Sequence, residues 1–317
     1  MPYNRPIFGV AGFPPNFFKS SFKRNRDNIF EWLTSLRLDW VELQNTYGVK
    51  MKDEQAARYR QLAEQWNIGI SIHAPYYITL ASPNREIVAR SIDRLHECFA
   101  LAVALNSERV IFHPGHFPGS CSKSRKDGIQ KIVKILNDIR DDLPISNVKI
   151  YPEIAGKKNQ LGTLDEIIEI CECVDYARPC LDLAHLHACM PDGLIEAEDF
   201  VKVFDKVERH LGRSTIENCH IHMYPVGVGD HGEDSHMSFD DVEEKSQMAF
   251  TFFARNKPTN YFYPQSGPFI DAVFASKINP VIICEAKDTQ DIGAILMRDK
   301  WESRHEATSS SIEVRQC

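Results

Sequence analysis

No apolar run in this chain approaches the roughly 18 uninterrupted residues that a membrane helix requires. The opening Met1-Pro2-Tyr3-Asn4-Arg5-Pro6 lacks the apolar core of a secretory signal, so a cytoplasmic location is expected, with no membrane partner. Nine cysteines form no compact framework of spacings, and Cys98, Cys219 and Cys284 stand inside apolar runs, as reduced buried thiols do. Cys171-Glu172-Cys173 falls on a helical pattern and is read as structural. A glycine-rich phosphate loop is missing too: Gly9-Val10-Ala11-Gly12-Phe13 has no third glycine, which tells against an open, doubly wound nucleotide-binding sheet. Positive charge is in deficit, with 37 Lys and Arg against 44 Asp and Glu. The net charge of −7 excludes a broad basic coat for nucleic acid. It leaves room for a local basic focus, because three divalent ions at one rim would return about six positive charges.

What is present is a repeated shape: a short apolar run ending in a side chain able to bind metal. Six segments have it: Ile70–His73, Val110–His113, Val148–Glu153, Cys180–His185, Cys219–His222 and Val281–Glu285. Their length, β-branched content and lack of helical period read as buried strands. Two further runs, Ile7–Ala11 and Trp40–Leu43, complete eight. Helical patterns follow the strands, near residues 26–36, 53–66, 85–105, 126–139, 164–173, 197–210 and 291–300. Thr163 and Glu166 have the spacing of a capping box. Eight strand–helix units in 317 residues specify an α/β fold, a (β/α)8 TIM barrel over residues 1–300. Between Met223 and Pro280 the rhythm lengthens into an inserted segment at about 240–264 before the last strand, holding a helix from Asp240 to Ala254 and then Asn260–Pro264. Residues 301–317 read as a polar, mobile C-terminal tail.

In such a barrel the active site lies at the carboxyl ends of the strands. A lone histidine is usually structural, but here His73, His113, Glu153, Asp182, His185, His222 and Glu285 all fall at one rim. Carboxylates in a barrel mouth are costly unless paired or metal-bound. Nitrogen and oxygen donors without cysteine favour Zn2+, with Mn2+ or Fe2+ as alternatives. His220 and His222 share a strand face. His222 is preferred as the ligand because it is nearer the carboxyl end, with His220 as its partner, and that choice stays open. Asp234-Ser235-His236 in the following loop adds a short pair able to bind another ion. His116, His187 and His231 are read as neighbours of the site rather than ligands.

At these residues the chain resembles the endonuclease IV family of apurinic/apyrimidinic endonucleases, within the xylose-isomerase-like barrels and nearest their archaeal-type branch. The resemblance is carried by His73-Ala74-Pro75-Tyr76-Tyr77-Ile78, Phe112-His113-Pro114-Gly115, the stretch Glu153–Gly162, Cys180–Ala188 and Cys284-Glu285-Ala286-Lys287. It runs from about Ile7 to Asp299. It implies about three zinc ions: His73 and His113 on the first, Glu153 bridging to a second completed by Asp182, His222 and Glu285, and a third on His185, Asp234 and His236. It implies hydrolysis of the phosphodiester 5′ to an abasic site in damaged double-stranded DNA, leaving a 3′-hydroxyl, by a metal-activated hydroxide that Glu153 or Glu285 orients. Tyr76 and Tyr77 match the position where family members enter the minor groove, and Lys157 and Lys158 are candidate phosphate contacts. A monomer is expected, nucleoid-associated if the source is prokaryotic.

The chain departs from that family at three places. Gln44–Gly48 offers no counterpart to the basic residue that wedges the DNA, Met237–Asp241 replaces the usual glycine-rich continuation, and the segment from Asp240 to Pro264 is long. Two other activities use related residues: a UV damage endonuclease, which Glu285-Ala286-Lys287 also resembles, and a sugar isomerase or epimerase with fewer ions. A weakly catalytic binder of abasic DNA is a further reading, with the inserted segment blocking the cleft.

Overall fold

The eight apolar runs become eight parallel strands arranged in a ring. The computed structural model describes residues 3–116, 122–144, 147–190, 192–242 and 265–313. In chain order the elements are β1 (Ile7–Ala11), α1 (Pro15–Lys19), α2 (Ile29–Ser35), β2 (Trp40–Gln44), α3 (Asp53–Trp66), β3 (Gly69–His73), α4 (Arg85–Leu105), β4 (Arg109–Phe112) and α5 (Ser122–Asp138). There follow β5 (Lys149–Pro152), α6 (Leu164–Cys173), β6 (Cys180–Asp182), α7 (Leu183–Cys189), α8 (Ala197–Leu211), α9 (Arg213–Glu217) and β7 (His220–His222). The series ends with β8 (Val226–Gly229), β9 (Gly232–His236), α10 (Ser266–Ser276), β10 (Val281–Cys284) and α11 (Gln290–Glu313). Strands β1 to β7 and β10 pair side by side, with β1 between β2 and β10. The ring closes between β5 and β6 through parallel bridges at Ile150–Ala177 and Glu153–Cys180. This is the expected TIM barrel.

Strand alternation sorts the side chains into two sets. Phe8, Val10, Val41, Leu43, Ile72, Val110, Phe112 and Ile282 point outward into one large core shared with the helices. Among the described residues the inward set forms two small apolar clusters, Ala11 with Trp40, Val281 and Ile283, and Ile111 with Tyr151 and Cys180. Barrel interiors are commonly filled with branched apolar residues. Here the lumen also buries Glu42, Ser71, Arg109, His220 and His222. The Trp40 indole fits because β3 begins with a glycine; a Cβ on Gly69 would lie 2.0 Å from its ring.

The capping box forms as its spacing foretold: the Thr163 side chain accepts from the Glu166 backbone, and Glu166 reaches back to the N-cap. Three details differ from the sequence reading. The stretch after Asn25 starts as a 3-10 turn, Arg26–Asn28, before α2. The last helix continues past Lys300 to Glu313, supported by the Arg304–Asp271 ion pair and by Trp301 stacked on His305. Asp234 and His236 sit on β9 of a hairpin rather than in a plain loop. Of the inserted segment, residues 243–264 lie outside the described residues, and with them most of the helix expected from Asp240 to Ala254.

Candidate metal centre

Each strand end delivers its side chain to the same mouth. The cleft there has a volume of about 460 Å³ and is walled by His73, His113, His185, Glu233, His236 and Glu285. A larger cavity of about 660 Å³ lies at the opposite end of the barrel, but there Arg5 and Asp39 neutralise each other and no donor cluster forms among the described residues.

Glu153, fully buried, occupies the centre. His73 Nε2 lies 2.9 Å from its Oε2, His113 Nε2 3.5 Å from the same oxygen, and His222 Nδ1 3.2 Å from its Oε1. His222 Nδ1 is also 3.6 Å from Asp182 Oδ2 and 3.6 Å from Glu285 Oε2. Asp182 arrives by a helix start: its Oδ1 caps α7 by accepting from His185 N at 2.6 Å, leaving Oδ2 for the cleft. That turn also brings His185 beside it, with Nδ1 3.2 Å from Asp182 Oδ2.

The third group departs from the sequence expectation. Opposite Gly227 and Val228, β9 presents Ser235 and Glu233, so Asp234 is an extra residue, a β-bulge. The bulge turns Asp234 out to solvent and brings Glu233 onto the face of His236. Glu233 Oε2 lies 3.1 Å from His185 Nε2, and its Oε1 lies 3.2 Å from His236 Nε2. Space for this contact depends on Gly156, where a Cβ would meet His185 Cδ2 at 2.4 Å and Glu233 Oε2 at 2.6 Å. The backbone of Glu233 donates to Gly156 O at 2.7 Å, which ties the hairpin to the loop after β5. Asp234 therefore does not join the cluster; Glu233 stands in its place.

The backbone partners of three histidines fix which ring nitrogen carries the proton. His73 Nδ1 donates to Ala74 O at 2.9 Å, His185 Nδ1 to Ile154 O at 2.8 Å, and His236 Nδ1 to Glu285 O at 3.0 Å. Each backbone carbonyl holds the proton on Nδ1 and leaves the Nε2 lone pair facing a carboxylate. Two acceptors face to face call for a cation or an added proton between them. Histidines that bind metals are held in this way. The donors sort into overlapping sets within coordinating reach of one another: His73, His113 and Glu153; Glu153, Asp182, His222 and Glu285; His185, Glu233 and His236; and, deeper in the barrel, Glu42 with His73 and Glu285, and Cys180 with His220 and His222. The residues fit divalent cations.

Protonation shows the same demand. Burial disfavours the His73 imidazolium, yet the hydrogen bond and charge of Glu153 outweigh it and raise the group to about 9. Burial likewise opposes charge on His185 and His222, but Asp182, Glu233 and Glu153 lift His185, and Cys180 followed by Glu285, Glu42 and Glu153 lift His222, both well above the usual value. Burial, helped by the charges of His73, His185 and His222, carries His113 down to about 4 despite Glu153, and its buried Nδ1 has no hydrogen-bond partner. Burial would raise Glu153 and Glu233, but surrounding imidazoles hold Glu153 well below the carboxylate range and Glu233 at about 2. Glu285 goes up, through burial and then the charge of Glu153, although His222 acts the other way.

The model of the xylose isomerase-like TIM barrel family matches residues 30–255. The chain belongs to that family. An uncharacterised protein of Methanocaldococcus jannaschii is 32% identical over 235 residues, covering 73% of this chain and 81% of the relative. A probable endonuclease 4 of Acholeplasma laidlawii is 29% identical over 157 residues, covering 48% of this chain and 51% of its own, so that match spans about half of either protein. Among solved structures, endonuclease IV from Thermus thermophilus superposes with a TM-score of 0.62 at 17% identity, over 94% of this chain and 99% of that one. A D-tagatose 3-epimerase-like protein gives 0.61 at 16% identity, over 96% and 99%. At these identities the structures show a shared barrel.

Around the donors of this xylose isomerase-like barrel stand residues that reading the strand ends missed. Tyr224 donates to Asp182 Oδ2 at 3.1 Å and stacks on His236 with ring centroids 4.3 Å apart. Gln44 Nε2 donates to Glu285 Oε1 at 3.0 Å. Glu42 lies beneath the donors; a carboxylate inside the apolar run Trp40–Leu43 was the available signal. At the rim, Tyr76 and Tyr77 are 52% and 41% exposed. Tyr76 accepts from Gln160 Nε2 at 3.1 Å and presents an edge to His113, while Tyr77 lies under Arg94. Lys157 lines the cleft, whereas Lys158 is tied through Nζ to Asp230 O at 2.9 Å.

Proposed function

We propose that this protein is a metal-dependent phosphodiesterase that cuts damaged double-stranded DNA 5′ to abasic sites, with zinc as the preferred ion. The supporting observation is the set of three histidines whose Nδ1 protons are held by backbone carbonyls while every Nε2 faces a carboxylate. Ions bound there would supply a hydroxide near neutral pH and offset charge on the phosphodiester. His73, His113 and Glu153 would hold one, Glu153, Asp182, His222 and Glu285 a second, and His185, Glu233 and His236 a third. Glu285, held by Gln44, would help orient the attacking water. Lys157 faces the cleft as a contact for the flanking phosphate. Tyr76 and Tyr77 offer exposed rings to the unstacked step beside the missing base. The resemblance to endonuclease 4 relatives supports the choice of substrate.

The test is a duplex carrying one tetrahydrofuran abasic analogue, incubated with zinc-loaded protein. A nick 5′ to the analogue leaving a 3′-hydroxyl is expected. No cutting by fully metallated protein overturns the reading, and faster cutting of photoproduct DNA redirects it to UV damage repair.

A second reading has its own observation. Glu153, Asp182, His222 and Glu285 alone can hold one ion, the arrangement a sugar epimerase of this fold would need. Four further imidazoles and Glu233 then lack a purpose, which favours the nuclease.

A further inference from the structure

Beneath the metal donors, the lumen holds a line of hydrogen bonds with a defined direction. It starts at Arg109, buried at the opening of β4, where the guanidinium lies between the rings of Trp40 and Tyr151 at 5.5 and 5.3 Å. Arg109 donates to Asn218 O at 3.0 Å and reaches His220 Nδ1 at 3.4 Å. An arginine is only a donor, so His220 Nδ1 is the acceptor and its proton sits on Nε2. That Nε2 donates to Glu42 Oε2 at 2.8 Å, where the Ser71 hydroxyl also donates at 2.8 Å. Trp40 Nε1 in turn donates to Ser71 Oγ at 2.9 Å, which aims the hydroxyl proton at Glu42.

With Oε2 occupied, Glu42 Oε1 is left for the mouth. It accepts from Gln44 Nε2 at 3.3 Å and lies 3.2 Å from His222 Nε2, off the axis of an ideal hydrogen bond. His222 Nε2 makes no well-aligned hydrogen bond. Cys180 Sγ and a His220 nitrogen also lie within 4.8 Å of a ring nitrogen of His222, and of these neighbours the carboxylate is the strongest acceptor for a proton on Nε2. The opposite ring nitrogen, Nδ1, is the one facing Glu153, Asp182 and Glu285.

We infer that Glu42 is a positioning residue for the metal centre, holding His222 as its Nε2–H tautomer so that the Nδ1 lone pair is presented to the ion shared with Glu153, Asp182 and Glu285. This rests on the metal-centre part of the proposed function. A fully buried carboxylate in a barrel lumen is unfavourable unless each lone pair is satisfied. Here every partner is itself oriented, from Arg109 upward. Carboxylates that hold the far nitrogen of a ligating histidine fix its tautomer and strengthen it as a ligand. His73, His185 and His236 use backbone carbonyls for this purpose. His113 Nδ1 has no hydrogen-bond partner, and His222, at the end of a strand paired on both sides with β6 and β10, has the Glu42 carboxylate instead.

Two measurements test it without DNA, so a protein that binds zinc as described but cuts no abasic duplex removes the nuclease reading and leaves this one standing. In the intact protein, 15N NMR of the imidazoles is expected to show the His222 proton on Nε2; a proton on Nδ1 in the zinc-loaded protein overturns the inference. In Glu42→Gln, competition with a chelator is expected to show one zinc bound roughly 10–100-fold more weakly and the others unchanged. The thermal midpoint of the stripped variant reports folding separately. Unchanged zinc affinity in a folded Glu42→Gln overturns the inference. So does a zinc-loaded structure with a Glu42 oxygen about 2.0–2.2 Å from an ion, which makes it a direct ligand.

Discussion

His185 and Glu233 meet at 3.1 Å, one at the start of the helix after β6 and the other on a hairpin strand, across a gap that only a glycine at position 156 leaves open. The bulge at Asp234 creates this contact. Glu233→Gln is expected to lower bound zinc by about one ion per chain, and Asp234→Asn to leave it unchanged. Gly156→Ala is expected to act like Glu233→Gln. Elemental analysis of the dialysed proteins checks all three; zinc loss in Asp234→Asn with none in Glu233→Gln would reverse the assignment.

A second expectation concerns pH. In metal-stripped protein, His73 stands at about 9 in the fold against a usual 6.5, so its protonation stabilises the folded state fully below about 6.5 and is lost as pH rises through about 9. His185 and His222 shift the same way. Glu233, held at about 2 against 4.5, stabilises above about 4.5 and loses that as pH falls through about 2. His113 and His220, held at about 4 chiefly by burial, act the other way and cost stability as pH falls below about 6.5. The stripped protein is therefore expected to be most stable near about pH 6.5, with melting temperature falling toward pH 9. Zinc displaces those protons, so zinc affinity should rise over the same interval. A melting temperature of stripped protein that climbs from pH 7 to 9 would contradict the charge arrangement.

The barrel was legible because the strands carry its period: apolar runs of fixed length, each ending at the rim. His73, His113, Glu153, Asp182, His185, His222 and Glu285 could be found by position alone, since each stands at or just beyond a strand end. Glu233 could not. A bulge shifts which of two adjacent carboxylates faces inward, and no pattern in Gly232-Glu233-Asp234-Ser235-His236 announces it. Glu42 was hidden for a different reason: a buried charge in mid-strand acquires meaning only when β7 places His220 and His222 opposite it. The continuation of α11 to Glu313 was missed because composition alone made its residues read as tail.

Loss of a central donor should be felt in chemistry and in metal binding together. His113→Ala and Glu285→Gln are each expected to reduce cleavage of the abasic duplex at least about 100-fold, with Glu285→Gln retaining more bound metal than His113→Ala. Rates under saturating zinc separate the two effects. Parent-like cutting by either variant would remove that residue from the site.

The rim tyrosines should behave differently. Tyr76→Ala and Tyr77→Ala are expected to keep full zinc content and weaken abasic-duplex binding by about 1–3 kcal/mol each, the usual worth of a ring stacked on a base. Lys157→Ala should weaken binding to any duplex and reduce its salt dependence by about one phosphate contact. Fluorescence anisotropy across a salt series reads both. Tyrosine variants that bind like the parent would make those rings packing over the mouth.

The central claim is that this barrel mouth is a multi-cation centre, and metal content tests it most directly. Protein saturated with zinc, freed of excess ion and analysed for zinc per chain is expected to hold about three. A value near one, unchanged when His113 or His236 is replaced, would contradict the account and leave a single-ion site of the epimerase kind.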